Sequence, residues 1–246
     1  HLDGGIVSKI LVRNGDRVAE GDVLITLYDT AARTNLGVVV ARLNDFLIQQ
    51  ARLEAERDRK TEMTLPDGLN AADPAIAKII AAQKTLLDAR VAAHAGELSV
   101  LRQRLDHANN DAAGTEKLLE ARRREAEFNA TELAAVKPLF DRGFANQQRL
   151  MPIQREGARL EGEIGRLTSE MSKAKGLISE AELKIAQSEK EFTQGVVDEL
   201  RKVQGSIAEL VEHRAQLSDK LRRVELRAPR SGRVHALAVH TEGGVI

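Results

Sequence analysis

The sequence predicts a mainly α fold in which a long antiparallel α-helical coiled-coil hairpin is inserted into a small β domain split between the two ends of the chain. Three observations predict it. Residues 5–12 and 232–239 repeat one pattern of glycine and apolar residues. Between them, apolar residues recur at alternating intervals of three and four, which is typical of coiled coils. Only two breaks, at 64–74 and 138–146, interrupt that pattern.

Residues 1–29 predict the first half of the β domain. Apolar residues, many of them β-branched, alternate with polar ones between glycine-containing turns at 14–16 and 20–22. Both turn glycines suit backbone positions that require positive φ. We therefore expect three short strands joined by two tight turns. The residues of this half that we expect to define the fold are Gly5, Val7, Val12, Gly15 and Gly21.

The central residues, 30–226, predict three helices at about 31–63, 74–137 and 146–225. At 1.5 Å per residue these helices would be roughly 50, 100 and 120 Å long. Helices of those lengths return the chain to its start only if the first helix is followed by a linker that runs back beside it. We therefore expect three helices near the base of the hairpin, two toward the tip, and the tip itself at 138–146.

The third helix carries the longest apolar series of the chain. The series runs from Leu150 to Val224, and two consecutive intervals of four join Phe192, Val196 and Leu200. Such a stutter locally unwinds a left-handed supercoil. We expect this helix to pack antiparallel against the second helix, with local unwinding near Val196.

Residues 227–246 predict the second half of the β domain. This half has no counterpart of residues 21–27, so it is expected to be truncated in this sequence. Its proline is expected to end the preceding helix and to begin an extended segment. Because neither half offers enough apolar surface to be stable alone, we expect both halves in one domain. The residues of this half that we expect to define the fold are Ala228, Pro229, Gly232, Val234 and Val239.

The composition argues against several classes of function. The chain has no Cys, which excludes disulfides and thiolate metal sites, and its net charge of +0 provides no field that would attract nucleic acid. The six histidines show none of the spacings typical of metal ligands. We therefore predict no catalytic residues, no cofactor, no metal and no nucleic-acid partner.

Five motifs flank the predicted hairpin: Leu2-Asp-Gly-Gly-Ile-Val7, Asn14-Gly-Asp-Arg-Val18, Gly21-Asp-Val-Leu24, Arg227-Ala-Pro-Arg-Ser-Gly-Arg-Val234 and Val239-His-Thr-Glu-Gly-Gly-Val-Ile246. Together with the hairpin they resemble the periplasmic adaptors, or membrane fusion proteins, of tripartite bacterial export machines. The resemblance covers nearly the whole chain. It is most specific to the haemolysin-secretion D-type adaptors of type I secretion systems, and especially to the branch that exports proteases and lipases.

The resemblance implies a split lipoyl-like domain of the barrel-sandwich hybrid type and a non-enzymatic role. Its implied partners are an inner-membrane ABC transporter and a TolC-like outer-membrane channel, together with further copies of the chain in a hexameric ring. It also implies a periplasmic location and an N-terminal transmembrane helix in the inner membrane, which this sequence lacks.

The predicted tip is similar to the adaptor segment that meets the outer-membrane channel. Drug-efflux adaptors show an Arg-x3-Leu-x6-Ser pattern there; Leu139 and Asn146 occupy the last two places, whereas Ala135 replaces the arginine. The residues for which the resemblance implies channel contact are Leu139, Arg142, Gly143, Phe144, Asn146 and Leu150.

Two interpretations of the tip stay open. Because exposed apolar side chains at the end of a helical hairpin mark an interface, Leu139, Phe144 and Leu150 favour partner contact. The simpler interpretation is that Pro138, Gly143 and Asn146 merely build the turn, with Asn146 capping the third helix. The two interpretations are compatible.

Two alternatives to the secretion adaptor remain. An adaptor of a multidrug efflux pump would share the architecture. A biotin or lipoate carrier would share the β halves, but a carrier needs a modifiable Lys after the last strand of the first half, and residues 27–33 contain none. The sequence does not identify the secreted substrate.

Overall fold

The computed structural model describes residues 4–239 and 241–245. Parts of two motifs named above, namely Leu2, Asp3, His240 and Ile246, lie outside the described residues, as does His1. The elements in chain order are β1 (Val7–Ile10), β2 (Arg17–Val18), β3 (Val23–Leu27), α1 (Thr30–Arg57), α2 (Pro74–Asp141), α3 (Gln147–Arg222), β4 (Glu225–Arg227) and β5 (Gly232–Arg233). The chain forms two compact units: the residues up to Ala89 with those from Gly195 onward, and Arg90–Gln194.

The first unit contains two small sheets that join the two ends of the chain. β1, β3 and β4 form an antiparallel sheet in that order, and β2 pairs with β5. Val7, Ile25 and Leu27 are the buried centre of the sheets, and Leu237 and Val239 from the other end of the chain pack against them. The prediction that residues 5–29 and 228–245 share one β unit is confirmed for the described residues.

Three glycine turns make the same backbone connection between the two ends. In the first, the Gly15 amide donates to the Val234 carbonyl at 2.9 Å, and the Val234 amide donates to the Asp16 carbonyl at 2.9 Å. Gly21 and Asp22 bind Ala228 in the same way, and Gly243 and Gly244 bind Val7. The three leading glycines have φ of 100°, 89° and 83°, which only glycine adopts without strain.

α1 is shorter than expected. It ends at Arg57, so the predicted boundary at 63 is wrong. The amides of Arg59 and Lys60 donate to the carbonyls of Glu56 and Ala55 at 3.2 and 2.8 Å, which is the Schellman C-cap pattern. Arg59 takes φ of 55° at the position that glycine usually holds, so the sequence carries no signal for this helix end.

The last turns of α1 are packed between α2 and α3 in the first unit. Arg52 is only 1% exposed. Its Nε donates to Gln83 Oε1 of α2 at 2.7 Å, its Nη2 donates to Glu199 Oε1 of α3 at 3.0 Å, and its Nη1 pairs with Glu56. Because residue 52 lies beside residue 83, α1 runs alongside α2 and not in line with it. The expected return of the linker and the packing of three helices in this part of the chain are confirmed.

In the second unit, α2 and α3 pack antiparallel as expected. His94 stacks on Phe192 with ring centroids 4.2 Å apart, and Arg122 Nε lies 2.8 Å from Glu163 Oε2. Residue numbers of the contact positions therefore fall along α3 as they rise along α2, which is the pattern of antiparallel helices. The buried positions of α3 follow the predicted series: Leu150, Ile153, Leu160, Leu167, Ala174, Ala181 and Ser188, continued in the first unit by Val196, Leu200 and Val203. Unwinding at the stutter stays a prediction.

α3 ends at Arg222, before the expected boundary at 225 and well before Pro229. The Leu27 amide donates to the Val224 carbonyl at 2.9 Å, and β4 then pairs with β3, with Leu226 packed toward the core. Pairing with the first half of the sheet therefore ends the helix earlier than proline would. Among the described residues, no helix combines the length and the apolar character needed to cross a bilayer.

Candidate interface at the turn between α2 and α3

α2 continues through Pro138 and ends at Asp141, so the expected end at 137 is wrong. Proline removes only its own amide donor, and its carbonyl still accepts a hydrogen bond, here from the Arg142 amide at 3.2 Å. One missing donor in the last turns of a helix is tolerated. The turn proper is therefore confined to residues 142–146.

Gly143 is the residue that ends α2. Its φ is 80°, its amide donates to the Phe140 carbonyl at 2.9 Å, and the Phe144 amide donates to the Leu139 carbonyl at 2.9 Å. This is a complete Schellman motif, in which two carbonyls at the helix end find donors. An L side chain at position 143 would strain the backbone, although an added Cβ would meet no atom.

Asn146 begins α3 as its N-cap. Its Oδ1 accepts a hydrogen bond from the Arg149 amide at 3.1 Å, which satisfies one of the free donors at the start of the helix. The interpretation of Gly143 and Asn146 as builders of the turn is thus confirmed.

A small apolar core formed by residues of α2 and α3 lies next to the turn and supports it. Val136, Leu150 and Ile153 are buried together, and Leu133, Phe140 and Ala145 pack around them. The expectation that Leu150 is exposed is therefore wrong: it is 6% exposed. Position 150 begins the buried apolar series of α3, and that series already contained the information that the side chain faces α2.

The outer surface of the turn is apolar and basic. Leu139 is 44% exposed and Phe144 is 81% exposed, and Met151 is exposed close by on α3. The exposed charged residues around them are Lys137, Asp141, Arg142 and Arg149, three of them basic. Large apolar side chains that are exposed next to one another, and not singly, are typical of an interaction surface. We call Leu139, Arg142, Phe144 and Met151 the turn surface.

Two polar layers fix which residues of α2 and α3 face each other near the turn. Asn129 Nδ2 donates to the Ile153 carbonyl at 3.1 Å, and a Cβ at Gly157 would lie 2.9 Å from Asn129 Oδ1, so glycine provides the space for this amide. Farther along, Arg122 pairs with Glu163 across the helices. These contacts set the register of the pair and hence the position of the turn surface.

Charges around the second polar layer reinforce one another. Arg159 pairs with Glu156 and Glu163 along α3. The hydrogen bond from Arg159 lowers the pKa of the Glu156 carboxyl below its ordinary value. The hydrogen bond that the Arg122 guanidinium donates to Glu125, followed by the charge of that carboxylate, raises the pKa of Arg122. Both shifts favour the charged forms of Glu156 and Arg122, so this layer helps to fix the register of α2 against α3.

The residues expected to define the β domain lie where the two ends meet. Val7, Val12 and Ala228 are buried, whereas Val234 and Val239 are half-buried. A Cβ at Gly5 would lie 2.7 Å from Leu27 Cδ1, so this glycine permits close packing. Pro229 and Gly232 are exposed, and Gly232 begins β5.

Sequence reasoning missed the buried cluster around Arg52. An arginine four residues before a glutamate on a helix usually indicates a solvated pair, so the residue types alone carried no signal. The described ranges contain no cluster of three or more His, Asp or Glu side chains that could hold a metal ion.

Comparison with known proteins gives consistent results. The family model described as AprE, long alpha-helical hairpin, matches residues 32–220. The chain is 37% identical to the type I secretion system membrane fusion protein PrsE of Rhizobium meliloti (strain 1021), 33% identical to the proteases secretion protein PrtE of Dickeya chrysanthemi, and 32% identical to the alkaline protease secretion protein AprE of Pseudomonas aeruginosa. All of this chain aligns in each case, and it spans 56%, 55% and 57% of those proteins, about half their length.

Solved structures show the same fold. The soluble domain of LipC, a membrane fusion protein of a type I secretion system, superimposes with a TM-score of 0.91 at 24% identity, over 99% of this chain and 92% of that one. The periplasmic adaptor EmrA superimposes with a TM-score of 0.52 at 17% identity, over 99% of this chain and 66% of that one.

Proposed function

The chain belongs to the AprE family of long α-helical hairpins, and from that membership we propose that it is a non-enzymatic periplasmic adaptor for one-step type I protein secretion. It links an inner-membrane ABC exporter to a TolC-like outer-membrane channel. The observation that carries the proposal is the helical pair itself, which matches the family over residues 32–220 and ends in an exposed apolar and basic turn.

The secretion of proteases or related enzymes is favoured over drug efflux. The three relatives described above are named for type I secretion or for protease secretion. The likeness to the periplasmic adaptor EmrA rests on the fold alone and does not discriminate between the two functions. An anchor in the inner membrane and a periplasmic location follow from the same proposal.

We assign the two sheets to a split lipoyl-like domain of the barrel-sandwich hybrid type, with residues 1–29 as the first half and 227–246 as the second. The three equivalent glycine turns support this assignment, because each half contributes turns that bind the other. In the assembled machine this β domain carries the self-association of the chain into a ring, for which six copies are the expected number.

The turn surface is the proposed contact with the outer-membrane channel. Leu139 and Phe144 supply apolar area, and Arg142 supplies positive charge. Gly143 and Asn146 act by shaping the turn, and Leu150 acts by supporting it from the core. Several such surfaces in a ring bind one channel, so modest affinity at each suffices.

The test is secretion by cells whose own adaptor gene is deleted and replaced by variants of the complete protein. Leu139→Asp and Phe144→Asp should each reduce secretion of the exported protein at least tenfold, because a charge replaces apolar contact area. Val38→Asp, at an exposed apolar position of α1, is the control and should secrete normally. Adaptor levels and helicity by circular dichroism must be equal in all variants.

Normal secretion by both turn variants would show that the turn surface does not contact the channel. Loss of secretion by the control as well would show that any exposed charge disturbs the protein. Failure of the unchanged chain to restore export would contradict the adaptor role itself.

A further inference from the structure

β2 and β5 carry two arginines directly opposite each other. The two strands form an antiparallel sheet in which Arg17 lies opposite Arg233 and Val18 lies opposite Gly232. Neighbouring residues of a strand point to opposite faces, so both arginines lie on the face away from the half-buried Val18. Both arginines are exposed. We call Arg17 and Arg233 the arginine pair.

The register brings the two cationic side chains as close together as a sheet allows. The Val234 amide donates to the Asp16 carbonyl at 2.9 Å, so the next pair along the ladder, Arg17 with Arg233, is a non-hydrogen-bonded pair. The side chains of such a pair lie closer together than those of a hydrogen-bonded pair. Like charges in directly opposite positions destabilise a sheet. The fold of one chain therefore does not explain the arginine pair.

No carboxylate of the chain compensates the arginine pair. In the part of the chain that the structure describes, neither guanidinium group forms an ion pair or a hydrogen bond. Exposed arginines elsewhere do find a partner, as Arg166 does in Glu170. The two aspartates that flank β2 are engaged by backbone amides of their own turns, Asp16 at 2.7 Å and Asp22 at 2.7 Å. Both guanidinium groups are therefore available to an anion from outside the chain.

The same sheet has an open backbone edge beside the arginine pair. Among the described strands, β2 pairs with β5 alone. In a non-hydrogen-bonded pair, the amide and the carbonyl of each residue point away from the partner strand. The Arg17 backbone therefore offers a donor and an acceptor to a further strand. Extended peptides bind to sheet edges in this way, through backbone hydrogen bonds that give affinity and side chains that give specificity.

The charges determine which strand can add to β2. Charged side chains on an edge strand keep identical edges apart, so a second copy of β2 is a poor partner. A strand with carboxylates at alternate positions would present them on the same face as the arginine pair, and carboxylates accept paired hydrogen bonds from guanidinium groups. A phosphate group would bind the guanidinium groups but would leave the backbone edge unpaired. The two features together fit an acidic polypeptide.

We propose that the arginine pair and the open edge of β2 form a binding site for an extended, acidic segment of another polypeptide. The segment adds as a strand beside β2, and its Asp or Glu side chains bind the two guanidinium groups. Arg17 lies next to the added strand and Arg233 one strand farther away, so Arg17 makes the larger contribution. The site uses no residue of the turn surface, and it goes beyond the proposed contact with the outer-membrane channel without depending on it.

Binding of a defined peptide to the complete protein tests the site. The probe is a fluorescently labelled peptide of alternating Thr and Glu, and the comparison peptide has Lys in place of Glu. The acidic peptide should bind at least tenfold more tightly than the basic one. Arg17→Gln should weaken binding of the acidic peptide at least tenfold, and Arg233→Gln should weaken it less. Equal binding of both peptides, or no effect of Arg17→Gln, would overturn the proposal.

A charge reversal separates binding from folding. Arg17→Glu places opposite charges across the sheet, so the melting temperature should be unchanged or higher, whereas binding of the acidic peptide should fall at least tenfold. A lower melting temperature would show that the arginine pair stabilises the sheet, which contradicts the proposal. Arg166→Glu is the matched control, because it makes the same change of charge at an exposed arginine of α3. An equal loss of binding in this control would mean that the peptide senses only the net charge.

Modified peptides test whether the segment binds as a strand. Two versions of the acidic peptide carry N-methyl groups, one on its Glu amides and the other on its Thr amides. Alternate amides of a strand point to opposite edges, so one version should lose binding at least tenfold and the other should keep it. Undiminished binding of both would indicate a contact between charges alone. Displacement of the peptide by glycerol 3-phosphate, which carries the anionic group of a lipid head, would assign the site to lipid. Either result overturns the proposal.

Discussion

The sheets at the two chain ends and the paired long helices join distant parts of the sequence by different kinds of bond. In the sheets the connections are made by backbone: Val7, Ala228 and Val234 each exchange amide and carbonyl hydrogen bonds with residues from the opposite end. In the helices the backbone groups are already paired internally. The connections between them are therefore made by side chains, such as Arg122 with Glu163 and Asn129 with Ile153.

The difference teaches which properties of the sequence each region needs. Backbone connections need particular φ angles, so the sheets depend on glycine at three turns. Side-chain connections need particular residue types at particular positions, so the helices depend on a few polar residues within an apolar series. Substitutions should therefore disturb the two regions in distinguishable ways.

The largest effect is expected at Arg52, where a side-chain connection is fully buried. Arg52→Met should lower the free energy of unfolding by about 3 kcal/mol, because the buried Glu56 carboxylate loses its guanidinium. Arg52→Met/Glu56→Met should recover most of this loss. Urea denaturation followed by circular dichroism measures both, and a loss below about 1 kcal/mol in the single variant would mean that the cluster does not stabilise the three-helix packing.

A smaller effect is expected at the backbone connection of Gly15. Gly15→Val should cost about 2 kcal/mol, because a β-branched residue is forced to a φ of 100°. Gly232→Val is the matched control, since that glycine begins β5 at an ordinary φ with open space around it. Hydrogen exchange at the Val234 amide should accelerate in the first variant only. Equal exchange in both would contradict the role of the glycine turn.

Gly157 and Asn129 test whether a contact between α2 and α3 depends on both of its residues together. Gly157→Ala should be nearly neutral, because the gain in helix propensity offsets the displaced Asn129 amide. In an Asn129→Ala background the same substitution should stabilise by about 1 kcal/mol. A double-mutant cycle measures this coupling. A coupling of zero would show that the two residues act independently.

The smallest effect is expected from the exposed charges around Arg159. The pKa of Glu156 is lowered in the folded chain. Its contribution to stability is therefore fully present at pH values above the ordinary pKa of glutamate, and it is lost as the pH falls through the lower pKa of the folded state. The melting temperature should therefore decrease slightly between about pH 5 and pH 3. Arg159→Gln should show a shallower decrease, and an unchanged slope would exclude this pair as the cause.

Much of the fold was predictable because two of its patterns are periodic. The series from Leu150 through Leu160 and Leu167 set the pairing of α2 and α3, and Gly15 and Gly21 marked two of the three turns. The ends of the helices were less predictable. The break that begins at Pro138 predicts an end of α2 at 137, but a single missing donor is weaker than the complete C-cap at Gly143.

The candidate site was predictable in position and less so in detail. Its place between two long helices followed from the breaks in the series, and Leu139 and Phe144 are exposed as expected. The predicted exposure of Leu150 was wrong because it was based on the proximity of this residue to the turn in the sequence. Its place in the apolar series of α3 indicated burial. The burial of Arg52 was not found, because the predicted return of the linker places three helices together without specifying which residues of α1 face the other two.

The separation of β3 from β4 by the three helices affects the order of events during synthesis. The first β half leaves the ribosome on the order of 200 residues before its partner, roughly 10–40 s at ordinary translation rates. Throughout that delay the Val7, Ile25 and Leu27 side chains lack the strand that completes their sheet. Antiparallel zipping of α2 and α3 from the 142–146 turn shortens the search for that strand. A chain stalled before residue 225 would hence display an unpaired apolar edge, the kind of surface that chaperones bind and proteases clear.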